Sequence, residues 1–207
     1  MQRRFTFLSA LAAAMMLAAC ASSPSRFYTL SAPPQTVAAP APAGGAPLFI
    51  EVMPVSVPER LARPQIVVRS DAARLEILEQ DRWSAPFNNE LQDALRALLV
   101  QRLGALDVTN SGRAGDAPVY RIMVELQQLD AVRSGPVQAQ FGLTVVRSDT
   151  RAKSDTQVRS TCSLRLQDSA GATVADVVQA LQGMVVSTAD ALVLQVNALR
   201  NGKRDCH

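Results

Sequence analysis

The chain has 207 residues, 48% of them hydrophobic, 19% charged and only 4% aromatic, which suits one sizeable core with few rings. Its single histidine is His207, the last residue, which removes most catalysis built on imidazole, and Cys20, Cys162 and Cys206 are too scattered for a zinc knuckle or ribbon. The formal charge of +3 includes Arg3 and Arg4; without them basic and acidic side chains nearly balance, so the basic stripe of a nucleic-acid binder is not expected.

Residues 1–19 have the pattern of a secretory signal: Arg3 and Arg4 form a positive start, and an uncharged apolar run follows from Phe5 to Ala19. At about 1.5 Å per residue such a run spans roughly 22 Å as a helix, short of a hydrocarbon core of about 30 Å. It ends in Leu17-Ala18-Ala19-Cys20, a lipobox. Small residues fit a narrow peptidase site, and the Cys20 thiol accepts the diacylglyceryl group. The competing reading is an ordinary A-x-A cleavage site with a fortuitous cysteine. Acyl chains at about 0.8 kcal/mol per buried methylene would make the anchor effectively permanent. Ala21, rather than an aspartate, follows the cysteine, so the expected destination is the periplasmic face of the outer membrane of a Gram-negative bacterium.

Residues 20–47 form the expected tether. Arg26-Phe27-Tyr28-Thr29-Leu30 is β-prone, and aromatic and β-branched residues have no reason to cluster in a solvated leash, so this pentad is expected to pair with the main sheet. Pro33 to Pro47 is a Pro/Ala/Gly linker that cannot pack and prefers extended geometry. A single domain is expected over 48–207. Leu48 to Val55 predicts a strand with Leu48, Ile50 and Val52 on one face, near an edge or a bend because of Pro54 and Pro58. Ile66–Arg69 and Arg74–Glu79 predict two more strands. Phe87, Leu91, Leu95, Leu98 and Leu103 recur at helical spacing, with start signals at Ser84 and Pro86 and a stop at Gly104, so a helix is expected at about 84–103. A short strand at Leu106–Thr109 is expected after it.

Val119 to Leu129 alternates, Ser134-Gly135-Pro136 is a turn, and Val137 to Val145 alternates again, which predicts an antiparallel hairpin. After a charged loop over 147–157, Cys162, Leu164 and Leu166 face inward on another strand. Asp168 to Gly171 turns the chain, Thr173 to Gln182 is expected to return as a strand, and Ser187-Thr188-Ala189-Asp190 resembles a capping box that opens a helix over about 188–201. The expected fold is α+β, a two-layer sandwich of a mostly antiparallel sheet with two main helices.

No motif adds catalytic chemistry. Glu51, Glu76, Glu79, Asp81 and Glu125 fall mostly on solvent faces, and Ser111 to Asp116 is a loop whose glycines are spaced wrongly for a phosphate cradle. No catalytic residue, metal or cofactor is expected. Cys162 and Cys206, two thiols in an oxidising compartment, are expected to pair; the other reading is a buried free thiol and a frayed one. Trp83, the only tryptophan, is either a plug at the strand-to-helix corner or a partner contact.

Pro58 to Arg69, with Arg63-Pro64 at its centre, then Arg82-Trp83-Ser84-Ala85-Pro86-Phe87 and its helix, resemble the PqiC (YmbA) family of ABC-type transport auxiliary lipoproteins. Phe27-Tyr28-Thr29-Leu30, just after the lipid cysteine, is similar to that family's opening motif. The resemblance implies a non-enzymatic outer-membrane lipoprotein, an accessory or docking subunit for an MCE-domain protein of an intermembrane lipid transporter that maintains envelope integrity. It further implies a homo-oligomeric ring, and marks Arg63, Pro64 and Trp83 as partner-contact or structural residues. The alternatives are a stand-alone periplasmic lipid-binding module and an envelope hydrolase.

Overall fold

In the computed structural model of the chain, the described residues are 24–31, 47–109, 117–148 and 158–204. The elements in chain order are β1 (Arg26–Tyr28), β2 (Phe49–Val52), a 3-10 turn (Glu59–Leu61), β3 (Gln65–Arg69), β4 (Leu75–Trp83), α1 (Phe87–Leu103), β5 (Leu106–Asp107), β6 (Val119–Ala131), β7 (Pro136–Ser148), β8 (Val158–Ser169) and α2 (Val174–Arg200). They make the expected α+β fold. The strands divide between a five-stranded sheet, ordered β5-β2-β6-β7-β8, and a three-stranded sheet, ordered β1-β4-β3.

The long ladders β6–β7 and β7–β8 are antiparallel, as is β3–β4, whereas β2 runs parallel to both β5 and β6, and β1 parallel to β4. Alternation along β7 sets Val137, Ala139, Phe141, Leu143 and Val145 into the core and leaves Gln138, Gln140 and Thr144 on the other face. An isolated bridge from Arg69 of β3 to Val132, just past β6, links the two sheets, while one from Ser56 to Glu125 continues the parallel β2–β6 pairing. Side chains from both sheets and both helices meet in one apolar core, which includes Ile50, Ile66, Trp83, Leu95, Ile122, Leu143, Leu192 and Leu199.

Helix α1 starts at the Pro86 cap and ends at Gly104, whose φ of 56° is the left-handed conformation that glycine adopts without a Cβ penalty. The C-terminal segment differs from the sequence expectation. Thr173 to Gln182 is not a strand, and the last helix begins at Val174 rather than near Thr188. Val174, Val177, Val178, Leu181, Met184 and Val185 recur at three- and four-residue steps, and that periodicity overrides the β propensity of the valines. Thr173 is the true cap: its hydroxyl accepts from Asp176 N at 3.1 Å while the Asp176 carboxylate accepts from Thr173 N at 2.9 Å. Ser187 and Thr188 lie mid-helix, their hydroxyls donating back to the carbonyls of Gly183 and Met184. By length and a mean hydropathy of 1.5, α2 would suffice to cross a membrane, but half of that apolar window is buried within the molecule, against β7, β8 and α1.

Candidate functional site

The strongest concentration of polar chemistry surrounds β1, the strand nearest the lipobox. The pentad pairs with the smaller three-stranded sheet rather than with the main sheet as expected, through the parallel register Arg26–Asp81, Phe27–Arg82 and Tyr28–Trp83. Because β1 is so short, its ladder alone would hold it weakly, and two buried carboxylates complete the attachment.

Asp81, only 4% exposed, takes Arg26 in a fork, with Nε at 2.7 Å from Oδ1 and Nη2 at 2.8 Å from Oδ2, and accepts from the Tyr28 hydroxyl at 2.9 Å. Burial pushes the Asp81 carboxyl up; the Arg26 and Tyr28 hydrogen bonds, with the charges of Arg26 and Arg133, outweigh it and hold the group below its ordinary value. Burial and the Asp81 contact push the Tyr28 phenol up.

Glu90, 5% exposed in the first turn of α1, accepts four hydrogen bonds. Oε2 receives the Thr29 hydroxyl at 2.8 Å and Leu30 N at 2.9 Å; Oε1 receives the Ser84 hydroxyl at 2.5 Å and Ala85 N at 3.1 Å. A carboxylate at this end of a helix also meets the favourable pole of the helix dipole. Gln182 of α2 donates to the Thr29 carbonyl at 3.0 Å, Ser84 N donates to the Tyr28 carbonyl at 2.8 Å, and Leu30 is buried. Burying such a leucine is worth about 1.5–3 kcal/mol. Together these contacts form a clasp that makes the pentad part of the body.

Trp83 ends β4 inside this corner. It is 6% exposed, its ring packs against Phe87 with centroids 5.0 Å apart at 30°, and its backbone N–H donates to the Pro64 carbonyl at 2.8 Å. The structure thus brings Trp83 and Arg63-Pro64 together through the backbone. Arg63 N donates to the Leu61 carbonyl at 2.8 Å, and its Nε is buried without a hydrogen-bond partner.

Cys162 is half-buried on β8, its Sγ 3.9 Å from the Ser160 hydroxyl. That hydroxyl donates to the Arg204 carbonyl at 3.3 Å, which brings the C-terminal tail beside β8 two residues before Cys206. Cys206 and Cys20 lie outside the described residues, as do Ser111 to Asp116 and most of the Pro/Ala/Gly linker.

One expectation about the acids is corrected: Asp81 does not face solvent. β4 runs on to Trp83, and the register shift between Gln65 and Ile66 on β3 changes which side of β4 faces the core, so Leu78, Asp81 and Trp83 are all buried. Glu90 escaped sequence reading altogether. Its signal was present: an acid between Phe87 and Leu91, on the apolar face of the helix. Among the described residues, no three His, Cys, Asp or Glu side chains are grouped to hold a metal. The cavity enclosed by Leu30, Phe87, Leu126, Phe141, Leu181 and Met184 has room for about 10 Å³, roughly one water.

The family model for the ABC-type transport auxiliary lipoprotein component matches residues 28–193, and the chain belongs to that family. Two crystal structures share the fold. An uncharacterized protein aligns with a TM-score of 0.58 at 15% identity, over 84% of this chain and 99% of its own. Protein XCC0632 from Xanthomonas campestris, of family model DUF330, aligns with a TM-score of 0.54 at 18% identity, over 86% of this chain and 96% of its own. No curated protein sequence matches the chain.

Proposed function

We propose that this auxiliary lipoprotein is a non-catalytic docking subunit of an MCE-type intermembrane lipid transport system, acylated at Cys20 and held at the periplasmic face of the outer membrane. The observation that carries the reading is the clasp. Asp81 and Glu90 fasten the segment after the lipobox to the body, so a force on the acyl chains passes directly into β4 and α1. Such coupling serves a positioning role, in which the body must stay registered between membrane and partner. The family match to a transport auxiliary component supports the same reading.

The remaining parts follow the same logic. Residues 1–19 are the signal, and the acylated Cys20 begins the mature chain. The partner is an MCE-domain protein, met by a homo-oligomeric ring. Cys162 and Cys206 form a disulfide, supported by the tail contact at Ser160. A loop of about 45 residues closed this way is worth around 4 kcal/mol in the chain-entropy account. Labelled palmitate should enter the wild-type protein and not Cys20→Ser, which should leave the membrane fraction. Crosslinking in cells should recover an MCE or permease component; recovery of neither would overturn the docking role.

A further inference from the structure

Three of the five large exposed hydrophobic side chains among the described residues stand on the smaller sheet: Phe27 at 66%, Leu75 at 42% and Ile77 at 41% exposed. Register sets them on one outward face. Phe27 lies beside Arg82 and Ile77 beside Val67, while Asp81, Leu78 and Ile66 point to the core. Arg82, its Nε donating to the Glu79 carbonyl, adds a guanidinium to the same face, a group suited to phosphate.

The anchor leaves from the same place. Since β1 runs parallel to β4, the chain upstream of Arg26 heads toward the Leu75 end of the sheet, and the Ser25 hydroxyl already donates to Gln80 at 3.2 Å. Pro24 stands only four residues after Cys20. At about 3.5 Å per extended residue, the acylated thiol lies within roughly 14 Å of it. The Pro/Ala/Gly linker adds nothing to this reach, because it lies beyond the clasp.

We propose that the outward face of the three-stranded sheet, with Phe27, Leu75 and Ile77 at its contact points, seats on the phospholipid leaflet that holds the acyl chains. The proposal rests on the acylation of Cys20 proposed above. A leash this short, attached where the described chain heads toward the Leu75 end of that sheet, makes a bilayer the occupant that must come near.

The test uses the full-length chain in proteoliposomes of phosphatidylethanolamine and phosphatidylglycerol, grown with labelled palmitate. A photoreactive benzoyl-phenylalanine replaces Phe27, Ile77 or, as an exposed control on α2, Leu194. Several-fold more phospholipid adduct is expected at positions 27 and 77 than at 194. Equal adduct at all three positions in palmitate-labelled protein overturns the membrane face and leaves the anchor standing. Adducts at 27 and 77 to a protein alone, in intact cells, also overturn it, making the face a protein-docking surface. Protein that takes up no palmitate overturns both the anchor and the face.

Discussion

Asp81 and Glu90 carry more of the attachment of β1 than its three-residue ladder, because each satisfies donors that would otherwise be buried without partners. Glu90→Ala leaves Leu30 N and Ala85 N without their acceptor and is expected to cost about 1–3 kcal/mol in urea unfolding. Asp81→Ala should cost toward the lower end of that range, because Arg26 is largely exposed and water can replace its partner. Both variants should speed amide exchange at Tyr28 and Leu30 more than at the core of β7. The pH dependence has a definite sign. The Asp81 carboxyl is held below its unfolded value near 3.9, so its contribution is present above that value and lost as pH falls through the lower folded one. Tyr28 is shifted up, so its contribution is present below about pH 10 and lost as pH rises through the folded value. The protection factor of the β1 amides, exchange corrected for its intrinsic pH dependence, should therefore hold across neutral pH and fall at both extremes. Sequence alone indicated that the pentad pairs, but not that it joins the smaller sheet. It did not show that Asp81 is buried, because the register shift that turns it inward belongs to the β3–β4 pairing and leaves no local mark.

Among the elements, α2 depends most on its start. Thr173→Ala removes the capping box and should cost about 1 kcal/mol, a fall of a few degrees in melting temperature. Gly171→Ala tests the same feature from outside, since a Cβ there would stand 2.5 Å from Asp176 Oδ2 and push the capping carboxylate aside. A comparable loss is expected by calorimetry. Clean periodicity made α1 and the β6–β7 hairpin legible from sequence. The start of α2 was not, because Thr173 and Ser187-Thr188 offer similar cap signals, and β-branched Val174, Val177 and Val178 imitate a strand. Only burial along one helical face separates the two readings, and burial is a tertiary property.

At the scale of the whole molecule, the C-terminal tail and the linker make contrasting predictions. Reductant should lower the melting temperature of the wild-type protein and leave Cys162→Ala/Cys206→Ala unmoved, if the proposed bond accounts for the difference; native mass measurements on the same samples report the proposed ring. Doubling the Pro33–Pro47 linker should cost only about 0.6 kcal/mol in loop-closure entropy and leave membrane fractionation unchanged. The α+β class was readable from the sequence. The division into two sheets was not, because it depends on parallel pairings between segments distant in the chain.

The clasp lies upstream of the linker, and this order allows the polypeptide to be cut without being separated. A single nick just after Ser31 would convert the protein into two fragments, one a lipidated peptide of about a dozen residues, complemented by the other through β1, Leu30 and the two carboxylates. Shedding from the bilayer would then be a dissociation equilibrium rather than a hydrolysis, set by how tightly that short peptide rebinds.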